Sequence, residues 1–123
     1  MILGVGIDII ETERVAEKLN KPGFKEKVFS RGELNYCQSQ TDPAQHFAAR
    51  FATKEAFLKA AGKGLQLSHD LADIEIVLNT DGKPEIALHN QLTSLFQNHR
   101  FHVSLSHVQA TACAVVIIET IPS

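Results

Sequence analysis

The sequence has only two cysteines, no long hydrophobic run and no excess of basic residues. Cys37 and Cys113 have no cysteine or histidine at the spacing of a metal site, so we expect both to be reduced, structural thiols. The longest apolar run, residues 112–118, is far too short to span a bilayer. The formal net charge of −2 argues against nucleic acid as a partner. We therefore expect a cytoplasmic protein that binds neither membranes nor nucleic acids.

Length and composition indicate a globular protein. With 123 residues, of which 44% are hydrophobic and 21% charged, the chain can bury one substantial core but not two. No linker, internal repeat or low-complexity stretch divides it. The first residues alternate like a strand and lack the basic segment of a signal peptide. We therefore predict a single domain over residues 1–123 without a signal peptide.

The order of the predicted elements indicates an α+β fold. One strand comes first, helical patterns follow, and the second half of the chain is mostly strand-like, with a hairpin signal at Asp81 and Gly82. The predicted strands are residues 1–10, 74–78, 84–88, 100–107 and 111–119, and the predicted helices are residues 11–20, 24–29, 30–37, 43–61 and 89–98. We expect a mostly antiparallel sheet packed against one long central helix and several short helices.

The long central helix has clear start and stop signals. Asp42 is a good N-cap and Pro43 fits the first turn, whereas Gly62 and Gly64 favour a stop. Strong helix formers occupy most of the positions between them. One helix of about five turns is therefore the expected structure of this stretch.

Two charged ridges run along this helix instead of one solvated face. At about 100° per residue, Glu55 and Lys59 share one side, and Arg50 and Lys54 share another. Apolar or small residues separate the ridges. A pair four residues apart is often only a weak surface salt bridge, and that interpretation stays open for Glu55 and Lys59. The alternative is a helix packed on several sides, with its charges facing a cleft.

The first strand has one apolar face and one face that is nearly bare. The apolar face carries Leu3, Val5, Ile7 and Ile9, and we expect it to be core. The other face carries Gly4 and Gly6 and then Asp8. Glycine inside a strand often marks the close approach of another element. Asp8 is therefore either a cap for the next helix or a metal-binding or catalytic carboxylate.

Asp8 and Glu55 meet if the long helix packs across the bare face of the first strand. Two carboxylates with open positions suit Mg²⁺, which keeps several waters and takes phosphate oxygens. Four cations on or just after the helix suit a polyphosphate ligand, namely Arg50, Lys54, Lys59 and Lys63. Gly62 and Gly64, which flank Lys63, allow backbone N–H groups to approach phosphate, although this tripeptide is a weak signal. The residues indicate Mg²⁺-assisted chemistry on a phosphate ester or anhydride.

Three motifs together resemble a known enzyme family. They are GIDIIE at residues 6–11, RFATKEAFLKA at residues 50–60 and SLSH at residues 104–107. The residue types in these motifs and the spacing between the motifs are similar to those of the holo-[acyl-carrier-protein] synthases, the small bacterial branch of the 4′-phosphopantetheinyl transferases. The resemblance covers nearly the whole chain. It implies transfer of 4′-phosphopantetheine from coenzyme A to a serine of apo acyl carrier protein, releasing adenosine 3′,5′-bisphosphate and supporting fatty acid biosynthesis.

The resemblance also implies roles for individual residues. Asp8 and Glu55 match the family's Mg²⁺ ligands, and Lys59 matches the lysine that assists the leaving phosphate. The residues that fall where the family holds coenzyme A are Arg50, Lys54, Lys59, Gly62, Lys63, Gly64, Ser104 and His107. A larger branch of the superfamily carries a second acid at the position of Ile10, so the third metal ligand stays open. The proton acceptor for the carrier serine, a metal-bound water or a metal-site carboxylate, is also open.

A basic cluster after the first strand has two interpretations. By itself it is most simply a solvated surface. The resemblance implies instead that it meets the acidic recognition helix of the carrier, through Arg14, Lys18, Lys21, Phe24 and Lys25. The family is also trimeric, with coenzyme A held between neighbouring subunits. The apolar run at residues 115–118 agrees with such an interface, but it equally suits a central strand.

Two other functions stay open at this point. One is a different Mg²⁺-dependent enzyme acting on a phosphate ester, such as a hydrolase. The other is a non-catalytic module that binds coenzyme A or the carrier, although such a module has no use for both Asp8 and Glu55.

Overall fold

The computed structural model describes residues 1–62 and 70–122. Its strands are β1 (Ile2–Glu11), β2 (Ile74–Leu78), β3 (Pro84–Leu88), β4 (His99–His107) and β5 (Thr111–Thr120). Its helices are α1 (Thr12–Leu19), α2 (Phe24–Val28), α3 (Arg31–Gln38), α4 (Pro43–Ala61) and α5 (Gln91–Leu95), and a 3₁₀ turn covers Leu71–Asp73. The predicted α+β fold with one long helix is confirmed.

The strands form two antiparallel sheets. β5 lies at the centre of a three-stranded sheet in the order β1-β5-β4, whereas β2 and β3 form a separate hairpin. Gly82 has a φ of 79° in the hairpin turn, a conformation that favours glycine. The apolar run at residues 115–118 thus belongs to a central strand, in which Val116 and Ile118 are buried and Val115 and Ile117 are half-buried.

Helix α4 packs across one face of the three-stranded sheet, and two glycines allow a close approach. A Cβ atom at Gly4 would overlap the carbonyl oxygen of Ala60, and one at Gly6 would overlap that of Ala56. The buried core between helix and sheet includes Ala52, Ala56, Phe57, Ile74, Leu92, Ala114, Val116 and Ile118. The bare face of β1 therefore lies against α4, as the glycines predict.

The opposite face of β1 is exposed, so the prediction that it is core is wrong. Ile7 is 67% exposed and Ile9 is 72% exposed, and Leu3 and Val5 are also exposed. The physical reason is that α4 covers the glycine face and no described element covers the other. Val115 and Ile117 of β5 pair with Ile7 and Val5 and continue this apolar surface, which we call the outer sheet face.

A second core joins the short helices to the first half of α4. Its buried members are Val15, Val28, Phe29, Cys37, Phe47, Ala48, Ala49, Phe51 and Ala112. Ser30 and Glu33 form a capping box at the start of α3. Burial raises the pKa of the Cys37 thiol to about 11, which keeps it protonated and unreactive, whereas Cys113 is exposed.

Two local predictions differ from the structure. Helix α5 spans only Gln91–Leu95, shorter than the predicted residues 89–98, and its last residue, Leu95, is 55% exposed. Asp42 precedes α4 as predicted, but its side chain makes no cap hydrogen bond and instead accepts one from Gln45. None of the helices within residues 1–62 and 70–122 combines the length and hydrophobicity needed to cross a bilayer.

Candidate active site

Asp8 lies in the middle of β1 on the face that packs against α4. Because the strand continues to Glu11, Asp8 does not cap helix α1, and that interpretation is excluded. The carboxylate oxygen Oδ1 of Asp8 accepts a hydrogen bond from Nζ of Lys59 at 3.0 Å. Lys59 also donates to the carbonyl oxygen of Ile7 at 3.0 Å, so this lysine joins α4 to β1.

Glu55 faces the same open cavity as Asp8. The cavity has a volume of about 540 Å³ and is lined by Asp8, Ile9, Ile10, Glu11, Arg14, Lys18, Phe51, Glu55 and Thr111. Burial raises the pKa of Glu55, Asp8 raises it further, and Lys18 and Lys59 act in the opposite direction. Asp8 of β1 and Glu55 of α4 thus line one shared cavity.

The two carboxylates fit a divalent cation. A like-charged pair facing one cavity is disfavoured unless a cation compensates it, and oxygen donors are what Mg²⁺ prefers. Across residues 1–62 and 70–122, no group of three histidine, cysteine or acidic side chains is placed to share a metal. Ile10 lines the cavity with an apolar side chain. Asp8 and Glu55 are therefore the two protein groups in this cavity that would hold the ion.

Glu11 also lines the cavity, which strand alternation did not predict. Alternation assigns residue 11 to the face of β1 opposite Asp8. However, β1 ends at Glu11, which is the N-cap of α1, so the chain leaves the strand direction at this residue. Phe51 was missed as well, although its position four residues before Glu55 places it on the same side of α4.

The cations of the basic cluster that follows β1 are divided between cavity and surface. Arg14 and Lys18 line the cavity, and Nζ of Lys18 lies 5.2 Å from the centroid of the Phe51 ring. Lys21 is exposed, and Lys25 is half-buried beside a different groove. Phe24 is half-buried and packs against Phe29 and Phe51.

The second charged ridge of α4 does not reach this cavity. Lys54 is completely buried, and its ammonium group donates to Glu33 at 2.8 Å, to the carbonyl of Leu71 at 3.0 Å and to that of Ile74. Burial lowers the pKa of Lys54, and Glu33 opposes this. The structure therefore contradicts the predicted coenzyme A contact of Lys54, because the three protein oxygens occupy its ammonium group inside the core.

Arg50 is also buried, on the same side as Lys54. Its guanidinium carbon lies 4.5 Å from the centroid of the Tyr36 ring, and a guanidinium nitrogen donates to the carbonyl of His46. Within the described residues, its Nε atom has no hydrogen-bond partner. Arg50 does not line the cavity of Asp8 and Glu55 in a single chain.

The SLSH motif lies at the end of β4, away from the acid pair. Ser104 is exposed on the outer sheet face. His107 is half-buried, with its Nδ1 atom 2.7 Å from Oε1 of Gln45 and its ring 5.0 Å from that of His46. Burial, His107 and Arg50 together lower the pKa of His46, a neighbour that the sequence did not single out.

Of the remaining predicted ligand residues, the structure describes Gly62 alone. Gly62 closes the helix with a φ of 76°, which favours glycine and matches the predicted stop. Lys63 and Gly64 lie outside the described residues.

Comparison with known proteins gives a consistent result. Residues 4–116 match the 4′-phosphopantetheinyl transferase superfamily. The chain is 42% identical over 123 residues to the holo-[acyl-carrier-protein] synthase of Cytophaga hutchinsonii, covering 95% of this chain and 97% of the relative. It is 43% identical over 125 residues to the holo-[acyl-carrier-protein] synthase of Geobacter sulfurreducens, and the match covers 97% of this chain and 98% of the relative.

Solved structures agree with these sequence matches. The holo-[acyl-carrier-protein] synthase from Neisseria meningitidis superposes on this chain with a TM-score of 0.86 and is 30% identical to it. The match covers 98% of this chain and 100% of the other. The holo-(acyl-carrier-protein) synthase from Bacillus anthracis, in complex with CoA (3′,5′-ADP), superposes with a TM-score of 0.81 and is 34% identical. The match covers 98% of each chain. The chain therefore belongs to the 4′-phosphopantetheinyl transferase superfamily and is an enzyme of its holo-[acyl-carrier-protein] synthase family.

Proposed function

We propose that the chain transfers 4′-phosphopantetheine from coenzyme A to a serine of apo acyl carrier protein and releases adenosine 3′,5′-bisphosphate. The observation that carries this proposal is the cavity shared by Asp8 and Glu55, with Lys59 bound to Asp8 at its edge. The reaction would supply carrier protein for fatty acid biosynthesis in the cytoplasm. The comparison with a relative bound to coenzyme A supports the same donor.

Asp8 and Glu55 would hold Mg²⁺, which supplies charge neutralisation at the pyrophosphate of coenzyme A when bound. Lys59 extends from the same helix as Glu55 and is 57% exposed on its side chain. An exposed ammonium group one turn beyond Glu55 is well placed to donate to the leaving phosphate, where negative charge accumulates. Its present bond to Asp8 keeps it at the acid pair.

The carrier would dock beside the cavity on helices α1 and α2. Arg14 lines the rim of the cavity and is exposed, and Lys21 and Lys25 add positive charge farther along. Exposed cations of this kind favour a partner with an acidic helix and accelerate association. Phe24, half-buried between Phe29 and Phe51, would add an apolar contact.

The active assembly would be a homotrimer with active sites at the subunit interfaces. The outer sheet face supports this, because Val5, Ile7 and Ile9 form an exposed apolar surface on one strand. Ser104 lies on that face as well. Coenzyme A held between neighbours would explain why Arg50, Ser104 and His107 do not line the cavity of their own chain.

Mass spectrometry of apo carrier protein tests the function. We expect the carrier to gain the mass of 4′-phosphopantetheine only when coenzyme A and Mg²⁺ are both present. Asp8→Asn and Glu55→Gln should each reduce the rate by at least about 100-fold, because loss of even an outer-shell partner of a metal costs 10- to 100-fold. Asp81→Asn, in the exposed hairpin turn, is the matched control and should retain the wild-type rate.

The alternatives give different results in the same assay. A hydrolase would cleave coenzyme A without adding mass to the carrier, and a binding module would do neither. Normal transfer by Asp8→Asn or Glu55→Gln would contradict the assignment of the acid pair.

A further inference from the structure

Lys18 differs from Lys21, the next cation along the chain, because its ammonium group lies against an aromatic ring of helix α4. Its Nζ atom lies 5.2 Å from the centroid of Phe51, a ring that is only 7% exposed. Lys21, three residues later, is exposed to solvent. The contact with the aromatic ring holds Lys18 against α4 and limits its conformations before any ligand binds.

The position of Lys18 along α4 is defined by the residues that it meets. Phe51 lies one helical turn before Glu55, and Lys59 lies one turn after it. Along α4, the Lys18 ammonium group therefore lies about one turn before Glu55, and Lys59 lies one turn after it.

The two ammonium groups differ in their partners. Lys59 is already bound to Asp8 at 3.0 Å. Over residues 1–62 and 70–122, the carboxylates that form salt bridges are paired with other cations and not with Lys18. A half-buried ammonium group that faces a cavity and forms no salt bridge with the described residues retains hydrogen-bond donors for an anionic ligand.

We propose that Lys18 is a phosphate-binding residue of the active site, which contacts the phosphoryl group being transferred from the side opposite Lys59. The proposal rests on the function proposed above. It assigns Lys18 a role in holding the donor, in place of the docking role that its sequence position suggested. The transferred phosphoryl group must lie between the acid pair and the carrier, and Lys18 belongs to the wall of the cavity formed by α1.

A docking role predicts a different geometry. A residue that recognises the surface of a partner by charge gains from exposure, as at Lys21, where its ammonium group can meet the partner. The Lys18 ammonium lies instead over a buried ring inside the cavity. An anionic ligand that enters the cavity meets the Lys18 ammonium group there.

Two binding measurements test the proposal in the full-length enzyme with Mg²⁺. Calorimetry measures the Kd of coenzyme A, and a separate titration measures the Kd of apo carrier protein. Lys18→Met should weaken coenzyme A binding by about ten-fold or more, the worth of one charge-assisted hydrogen bond, and change carrier binding by less than about two-fold. Lys18→Arg keeps the charge and the ring contact and should stay within about three-fold of wild type for both.

Lys21→Met is the matched control, since it removes an exposed cation just after the same helix. It should leave coenzyme A binding unchanged and weaken carrier binding. Unchanged coenzyme A binding in Lys18→Met, or a larger loss of carrier binding than of coenzyme A binding, would overturn the proposal. An unaltered thermal unfolding midpoint verifies that the variant is folded, and Lys18→Arg must restore any loss.

Wild-type transfer is measured first, so that two failures are distinguishable. If wild-type enzyme adds no mass to the carrier, the proposed function is wrong. If it transfers normally while Lys18→Met binds coenzyme A as wild type does, only the role of Lys18 is wrong.

Discussion

Gly6 of β1 lies against the backbone of Ala56 in α4 so closely that no side chain fits between them. A Cβ atom at residue 6 would overlap the Ala56 carbonyl oxygen and lie 2.8 Å from the Ala60 nitrogen. Asp8 lies two residues beyond Gly6 on the same face of the strand, and Glu55 is adjacent to Ala56. The distance between strand and helix, and with it the shared cavity of the two acids, therefore depends on this glycine.

Gly6→Ala should separate β1 from α4 and disturb the acid pair. The added methyl group meets backbone atoms, which cannot rotate away, so we expect a loss of about 1–3 kcal/mol in the free energy of unfolding. The transfer rate should fall by more than the loss of folded enzyme explains, because a displacement of about 1 Å in a catalytic arrangement lowers the rate by about 100-fold. Denaturant unfolding and the mass assay measure the two effects.

Gly23→Ala is the control for this prediction. Gly23 has a φ of 82°, and a Cβ atom there would meet nothing within 4 Å. The variant should lose about 1 kcal/mol through backbone strain and keep normal transfer. A Gly6→Ala enzyme that is equally stable and active would refute the importance of the close approach.

Two lysines five residues apart on α4 should respond differently to the same substitution. Lys54→Met leaves the buried Glu33 carboxylate without its cation, so we expect a loss of about 3 kcal/mol in the free energy of unfolding. Lys59→Met removes an exposed pair worth less than about 1 kcal/mol, but it should greatly reduce transfer. Denaturant unfolding measures the stability of both variants, and the mass assay measures their rates of 4′-phosphopantetheine transfer. A Lys54→Met enzyme that is as stable as wild type but binds coenzyme A more weakly would support the sequence-based prediction that Lys54 contacts coenzyme A.

The outer sheet face should control assembly. Ile7→Glu places a charge at an apolar position that is 67% exposed in the single chain and pairs with Val115 in the sheet. If this face is the subunit interface, the charge would be buried without a partner, and the assembly should dissociate. Sedimentation measures the mass of wild type and variant. Leu95→Glu, at an exposed apolar residue of α5, should leave the mass unchanged, and a monomeric wild type would contradict the trimer.

Glu75 should make stability depend on pH in the acid range. Burial raises its pKa, but hydrogen bonds with Ser30 and His89 more than offset this, so its pKa lies below the ordinary value of 4.5. The unfolded chain therefore takes up a proton before the folded chain does as the pH falls. The stabilisation is complete above the unfolded pKa and is lost as the pH falls through the folded pKa.

Glu75→Gln reveals this contribution. The variant should be about 1 kcal/mol less stable than wild type near neutral pH, and the difference should shrink below about pH 4. Denaturant titrations across this range supply the measurement, and Glu85→Gln, on the exposed side of β3, is the control. A difference that grows toward low pH would be inconsistent with the lowered pKa.

Much of the local structure was predictable because neighbouring residues determine it. The capping box of Ser30 and Glu33, the stop at Gly62 and the hairpin turn at Gly82 each depend on contacts within a few residues. The meeting of Asp8 and Glu55 was predictable for a related reason. Glycines on the Asp8 face of β1 indicate where a helix can approach, and helical periodicity places Glu55 opposite it.

Residue patterns were sufficient to predict the family, the α+β order of elements and the face of β1 that carries Asp8. The packing of the chain was needed to learn that the apolar face of β1 is uncovered, that Lys54 is buried with Glu33, and that Lys18 lies at the cavity. Periodicity states which residues share a face, but it does not state what covers that face. The partner of each face comes from distant parts of the chain, and the packing of the whole fold selects it.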